Sequence, residues 1–172
     1  FAVAVAVGEV VLDGAGASDG MVVKLRPDGT IAWARGFGDV EDQQVLDMDV
    51  DAAGNVWLVG GFAGSMQFAG GSLKAPTMDP ERSHMFVVKL DGEGAWQWGR
   101  AYGSAEDQVL SRVRVGADGE AVLAGSFTGP TMVMGDLALE NDVSDAAIVV
   151  ARLDAQGEPR WAQRWPCVGG CV

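Results

Sequence analysis

The chain repeats itself at a fixed interval of 65 residues. The stretch from Met21 to Gly64 aligns without a gap to the stretch from Phe86 to Gly129, and 18 of the 44 aligned positions are identical. A fixed period is typical of architectures in which each copy buries its apolar face against the next copy. The chain is therefore expected to fold as a series of similar, mutually packed units.

Partial copies stand on either side of the two full ones. Near the end, Trp98 recurs as Trp161, 63 residues later, and the opening segment VAVGEVVLDGAG resembles the second half of a unit, VDAAGNVWLVGGFAG. We treat residues 1–172 as one domain. It divides into a half repeat, two full repeats and a second half repeat, with bounds at 1–20, 21–85, 86–147 and 148–172.

Local patterns within a unit predict four short antiparallel strands. Residues 21–25 are a short apolar run, which suits a strand covered on both faces, and residues 30–37 carry bulky aromatic side chains. In residues 46–50 apolar side chains alternate with aspartates, and a glycine turn leads into the apolar run at 56–59. The expected fold class is all-β.

An additional segment distinguishes the two full repeats from the opening partial copy. It is expected to form an extra two-stranded ribbon at residues 66–73 and 132–139, followed by polar loops at 77–83 and 140–144. Variable inserts on a constant frame are expected to lie on one rim, where loops usually carry recognition.

Both full repeats contain the tripeptide Glu-Asp-Gln. Paired carboxylates can hold calcium or serve as general acid and base. A catalytic centre is normally singular, whereas this tripeptide is copied, so loop capping is the preferred interpretation. Calcium binding is a weaker alternative, with Glu41, Asp42, Glu106 and Asp107 as candidate ligands.

A second acidic pattern, Asp47-x-Asp49-x-Asp51, lacks the glycine and glutamate of a calcium-binding loop. The other full repeat places Arg112 and Arg114 at the positions of the first two aspartates. If neighbouring units present equivalent strands, these opposite charges are expected to meet.

No catalytic constellation is predicted. Residues 16–20 match the G-x-S-x-G nucleophile elbow, but a strand follows them where that motif needs a helix. His84 is the only histidine and is expected in a solvated loop. The sequence therefore predicts no catalytic residue and no bound cofactor.

Three of the six tryptophans, Trp33, Trp98 and Trp161, recur at the repeat interval. A large aromatic side chain at the same place in each unit is best explained by packing between units. Trp57 and Trp96 have no tryptophan counterpart, so either one is a candidate for an exposed, sugar-stacking surface.

The two cysteines, Cys167 and Cys171, flank a flexible Val-Gly-Gly segment. Metal sites usually need two further ligands, which are absent beside them, so a local disulfide is favoured over a pair of free thiols. A disulfide is typical of an oxidising, extracytoplasmic compartment.

Charge and hydropathy exclude some partners. The formal net charge is −12, which disfavours nucleic acid and anionic membrane surfaces. No apolar run reaches the roughly 18 to 20 residues of a membrane-spanning helix. Because Phe1 is not an initiator methionine, we expect that an upstream segment has been removed or left out.

The repeat resembles the bacterial secreted β-propeller repeats found in large surface and extracellular proteins. The resemblance rests on an apolar strand ending in Lys-Leu, a turn ending in glycine, an aromatic strand, the Glu-Asp loop and a final L-x-G-x-F strand, and it covers most of the chain. The L-x-x-x-G-x-x-x-W spacing is also similar to the tryptophan-docking repeats of quinoprotein-like propellers. The resemblance implies four-stranded blades arranged around an axis.

The function expected from these observations is a non-enzymatic scaffold or binding module of a secreted or cell-surface bacterial protein. Two alternatives are recognition of a glycan or protein by the inserts at 66–83 and 132–144, and a quinoprotein-like or lyase-type enzyme. About three blades are present, too few to close a ring. Further units of a longer array are the preferred neighbours of the open edges, and a second copy of the chain is the alternative.

Overall fold

The regular secondary structure of the described residues is all strand. The structure, a computed structural model, describes residues 3–15, 18–77, 79, 81–142 and 145–167. Sixteen strands and no helix lie within these ranges, which confirms the all-β expectation. The described part of the chain thus includes no helix with the length and apolar character needed to cross a membrane.

The strands fall into three successive groups, which we call the first, middle and last units. The first unit contains β1 (Val5–Val7), β2 (Val10–Leu12), β3 (Gly20–Leu25) and β4 (Ile31–Phe37). The middle unit contains β5 (Gln43–Val50), β6 (Val56–Phe62), β7 (Ser65–Phe68), β8 (Gly71–Lys74), β9 (His84–Leu90) and β10 (Trp96–Tyr102). The last unit contains β11 (Gln108–Val115), β12 (Ala121–Phe127), β13 (Thr131–Met134), β14 (Leu137–Glu140), β15 (Ala147–Leu153) and β16 (Pro159–Pro166).

The middle and last units each form one four-stranded antiparallel sheet. Their strand orders are β10-β9-β6-β5 and β11-β12-β15-β16. In the first unit the pairs β1-β2 and β3-β4 remain separate two-stranded ribbons. These groups start midway through the sequence repeats, because each sheet joins the last two strands of one repeat to the first two strands of the next.

Turns of the form Asp-x-x-Gly connect an inner strand to the edge strand beside it, β9 to β10 in the middle sheet and β15 to β16 in the last. The Asp91 carboxylate accepts the backbone N–H groups of Glu93 and Ala95, and Gly94 adopts a φ of 77°. The equivalent turn between β15 and β16 is built in the same way, with Gly157 at a φ of 82°. Glycine is favoured here because side chains are strained at positive φ.

The middle unit lies between its two neighbours and buries both of its faces. One core joins its Leu58, Phe86 and Val88 to the β3-β4 ribbon, and a second joins Trp57 and Val87 to the last sheet. Strands β6 and β9 are buried along their whole length. This two-sided burial explains why both read as nearly continuous apolar runs rather than alternating ones.

The predicted extra ribbons are present as the hairpins β7-β8 and β13-β14. Their methionines, Met66, Met132 and Met134, are completely buried. Each hairpin also bonds to the preceding unit: Gly38 exchanges backbone hydrogen bonds with Gln67, and Gly103 donates to the carbonyl of Val133. The inserts therefore hold neighbouring units together.

Candidate functional site

The Glu-Asp-Gln loops lie between consecutive units, and a buried glutamine organises each of them. Gln43 donates to Asp39 and to the carbonyl of Ser65, and its side-chain oxygen accepts the N–H of Asp39. The Gln108 side chain similarly bonds to Ser104. Both glutamines are 1% exposed, so this third residue of the tripeptide has a structural role.

The two acidic residues of the tripeptide contact the start of the following insert. The backbone carbonyl of Asp42 accepts the N–H of Ala63, and the side chain of Glu41 lies over Gly64. Glu106 lies over Gly129 in the same way. These repeated contacts tie each tripeptide loop to the start of the insert that follows it.

A cleft of about 290 Å³ opens beside the first of these loops. It is lined by residues of the first tripeptide loop, of β5, of the end of β6, of the polar insert loop and of β11. These are Glu41, Asp42, Gln44, Gly61, Ala63, Glu81, Arg82, Ser83 and Val109. We call this feature the rim cleft.

Arg82 connects the rim cleft to the second tripeptide loop. Its guanidinium lies 3.2 Å from the Glu106 carboxylate and 3.3 Å from that of Asp107. The Asp107 carboxylate also accepts the backbone N–H of Ser83 at 3.0 Å. Arg82 has no basic counterpart at the equivalent position of the last unit, where Asp145 stands, so this contact is singular rather than repeated.

The calcium candidates are thus divided between two places. Glu41 and Asp42 line the cleft, whereas Glu106 and Asp107 are bound to Arg82. Within the described ranges, no cluster of three or more His, Cys, Asp or Glu side chains is arranged to hold a metal ion. The cleft offers carboxylates and one guanidinium, a mixture suited to hydrogen bonding with hydroxyl groups or basic side chains.

The predicted meeting of Asp47 with the arginines of the last unit is confirmed for Arg114, whose guanidinium lies 2.8 Å from the Asp47 carboxylate. The same carboxylate accepts the backbone N–H of Val113 at 3.1 Å, and Asp49 accepts that of Val115 at 2.8 Å. The aspartates therefore bridge strands β5 and β11 mainly through the backbone, which the sequence pattern did not indicate.

His84 is not in a solvated loop, contrary to the sequence expectation. It is the first residue of β9 and is completely buried, with its Nε2 2.9 Å from the hydroxyl of Thr77. Burial lowers the pKa of His84, while Gln108 and the charges of Asp107 and Asp79 oppose the shift. A histidine held in this way is suited to packing between the insert and the sheet.

A buried ion pair that sequence reasoning missed joins Lys89 to Asp51 at 3.0 Å. The Lys89 ammonium also lies 4.8 Å from the centre of the Trp57 ring. Burial alone would raise the pKa of Asp51, but hydrogen bonds from Asn55, Lys89 and Trp57 hold it well below its usual value. One sequence feature marked Asp51 as unusual: the other full repeat has a glycine, Gly116, at the equivalent position.

The tryptophans divide between buried and exposed sites. Trp33 packs on Gly94 and Trp98 packs on Gly157, each at the turn of the following unit. Trp161 instead is 40% exposed. Trp57 is completely buried, so it is not the exposed aromatic that the sequence allowed, and half-buried Trp96 lies against Phe68.

Two other sequence candidates are only partly described. Cys167 is buried, but Cys171 lies outside the described residues, so the disulfide stays a prediction. Of the G-x-S-x-G match, residues 16 and 17 also lie outside the described ranges. Ser18 uses its backbone carbonyl to accept the N–H of Gln43 at 2.7 Å, as Ser83 does for Gln108 at 2.8 Å. This repeated bond joins each tripeptide loop to the segment that leads into β3 or β9.

A scan against models of known protein families finds no match to this chain, and a search of curated proteins finds none either.

Proposed function

We propose that the chain is a non-enzymatic scaffold and binding module of the β-propeller type, from a secreted or cell-surface bacterial protein. The observation that carries the proposal is the recurrence of one junction. Trp33 meets Gly94 and Trp98 meets Gly157 with the same backbone geometry at the turn. Face-to-face packing of consecutive antiparallel sheets through a repeated contact is how propeller blades are assembled.

The repeated residues serve this packing, which leaves the non-repeated ones for recognition. The rim cleft combines Glu41 and Asp42 with the insert residues Glu81 and Arg82. Its carboxylates and guanidinium favour a polar ligand, either the hydroxyl groups of a glycan or a peptide with basic side chains. The alternative in which residues 66–83 take part in recognition is thereby supported by a specific feature, although the hairpin within that range is largely structural.

The experiment that tests the proposal is a binding screen of the immobilised chain against a glycan array and a panel of basic peptides. Wild-type protein is expected to retain at least one of these ligand classes. The double variant Glu81→Ala/Arg82→Ala is expected to bind that ligand at least about tenfold more weakly, because it removes both insert charges of the cleft. Asp28→Ala removes an exposed carboxylate elsewhere and should bind like wild type.

Circular dichroism must show unchanged strand content in the double variant. Failure to bind either ligand class, or binding that the cleft variant leaves intact, contradicts recognition at this cleft. Release of product from a bound glycan contradicts the non-enzymatic part of the proposal and favours the enzyme alternative.

A further inference from the structure

The two junctions inside the chain follow one rule. At the first, the Trp33 indole N–H donates to the carbonyl of Gly92 at 3.0 Å, and Arg35 donates to the carbonyls of Glu93 and Gly94. A methyl group added at Gly94 would lie 3.0 Å from the Trp33 ring. Each junction therefore needs a tryptophan from one unit and an unsubstituted glycine turn from the next.

The second junction repeats the first. A methyl group at Gly157 would lie 2.7 Å from the Trp98 ring, and Arg100 donates to the carbonyl of Gln156. Arg100 also lies over the Trp98 ring, as Arg35 lies over that of Trp33. The indole is thus held between a guanidinium and a glycine turn in both cases.

The same two parts occur once more, but they do not meet within the described chain. Trp161 of the last unit is 40% exposed, although its equivalents Trp33 and Trp98 are half-buried. In the first unit, Gly29 has a φ of 81° like Gly94 and Gly157, yet nothing lies within 4 Å of the position its methyl group would take. One end of the chain presents an unmatched tryptophan and the other an unmatched turn.

The apolar positions next to these turns also differ in burial between the first unit and the other two. On β9 and β15 the residues that face the preceding unit are buried, as Phe86, Leu90, Val149 and Leu153 show. Their equivalents on β3, Met21 and Leu25, are 44% and 57% exposed. Leu25 precedes the Gly29 turn, so an open apolar strip leads directly to the open turn.

The last unit carries the complementary open strip. Trp57 and Met85, which face the last unit from the middle sheet, are completely buried. Their equivalents in the last unit, Val122 and Ile148, are 40% and 42% exposed in the same sheet as Trp161. The two open faces therefore match the tryptophan, the apolar strip and the glycine turn of a junction that the chain already makes twice, with Gln163 in place of the arginine.

We infer that this face of the last unit binds the first unit of a second copy of the same chain, with Trp161 packed on the Gly29 turn. A second copy fits because each chain carries both halves of the missing junction; further units of a longer array are the other occupant, which the test distinguishes. By analogy with the Trp33 contact, the indole N–H of Trp161 donates to the carbonyl of Pro27. The interaction does not depend on any ligand of the rim cleft.

Charge predicts how this association responds to salt. Each copy has a formal net charge of −12, so two copies repel one another at low ionic strength. The contact itself is apolar and aromatic. Self-association is therefore expected to strengthen as salt is added, opposite to the behaviour of an interface held by ion pairs.

The test measures the mass of the whole chain in solution by light scattering and sedimentation over a range of concentrations. Wild type is expected to associate. Gly29→Asn places a side chain where the indole must lie, and asparagine tolerates positive φ. Gly54→Asn is the matched control, because Gly54 has a φ of 86° and equally open surroundings.

Both Gly29→Asn and Trp161→Ala are expected to weaken association at least about 30-fold, the effect of losing a central interface tryptophan. Gly54→Asn is expected to associate like wild type. An equimolar mixture of the Gly29→Asn and Trp161→Ala chains retains one intact junction, so it should form pairs at concentrations where either chain alone stays monomeric.

A mass that stops at two copies and a mass that grows with concentration both support the junction; the first means that it closes on itself and the second that it propagates. A wild-type chain that stays monomeric at all concentrations overturns the inference and assigns the open faces to other units. Association that neither Gly29→Asn nor Trp161→Ala weakens also overturns it.

Discussion

Lys89 and Asp51 form an ion pair with side chains only 8% and 5% exposed. Removing one partner of such a pair leaves an uncompensated charge in a place that water barely reaches. We expect Asp51→Ala to lower the free energy of unfolding by about 3 to 5 kcal/mol. Urea denaturation followed by tryptophan fluorescence measures this loss.

The matched comparison at the residue scale is Asp118→Ala, which removes a partner of Arg152, the residue at the repeat position of Lys89. That pair is far more exposed, so its loss is expected to be below about 1 kcal/mol. The double variant Asp51→Ala/Lys89→Met should recover most of the stability lost in Asp51→Ala, because no unpaired charge remains. Equal losses in Asp51→Ala and Asp118→Ala would contradict the assigned role of burial.

His84 predicts a pH dependence. Because burial lowers its pKa in the folded chain, the unfolded chain binds the proton at higher pH. The stability that neutral His84 contributes is therefore fully present above about pH 6.5 and is lost as the pH falls below that value towards the folded pKa. His84 is the only histidine, so His84→Gln should flatten the stability profile between about pH 7.5 and 5.5. Denaturant midpoints across this range provide the measurement, and an unchanged slope would refute the assignment.

At the scale of the strands, β5 and β11 lie side by side and carboxylates bridge them. The Asp47 carboxylate accepts hydrogen bonds from the Arg114 guanidinium and from the backbone N–H of Val113. The Arg114 side chain is 69% exposed, so we expect Arg114→Ala to cost less than about 1 kcal/mol. Asp47→Ala also leaves a backbone N–H without its acceptor, and we expect a larger loss of about 1 to 3 kcal/mol.

Thermal unfolding of the two variants distinguishes these contributions. If Arg114→Ala and Asp47→Ala lower the stability equally, the ion pair and not the backbone bridge holds the strands together. Added salt should change the stability of Asp47→Ala less than that of wild type, because only the ion pair is screened.

In the whole molecule, the equivalent residues Trp98 and Trp161 are expected to contribute unequally to the stability of a single chain. Trp98 packs on the Gly157 turn and meets Trp57 edge to face, with ring centres 4.9 Å apart. We expect Trp98→Ala to lower the unfolding free energy of the monomer by about 3 to 5 kcal/mol. Trp161→Ala should cost less than about 1 kcal/mol under dilute conditions, because Trp161 is 40% exposed and lacks a partner turn in the described chain.

Denaturation at low protein concentration checks this contrast, with the mass in solution monitored at the same time. A loss for Trp161→Ala as large as that for Trp98→Ala would mean that Trp161 is packed within its own chain. It would also contradict the open end on which the self-association depends.

Much of the architecture was predictable from the repeat. The period, the apolar runs and the glycine turns predicted the strands, because hydrophobic periodicity and positive-φ glycine are local properties. The extra hairpins and the contact of Asp47 with Arg114 also followed from aligning the two copies. Trp33 and Trp98 were predictable as packing residues for the same reason, since a repeated aromatic position needs a repeated partner.

The strand class, the turns and the equivalence of positions in successive copies can all be read from the amino-acid sequence. Where one sheet ends and the next begins cannot, since a repeat can be divided at any phase and strand pairing selects one of them. Only the tertiary structure buried His84 and Lys89 and left Trp161 and Gly29 open. The physical reason is that burial depends on which surfaces meet across units: residues with the same local sequence are covered in the middle of a stack and exposed at its ends.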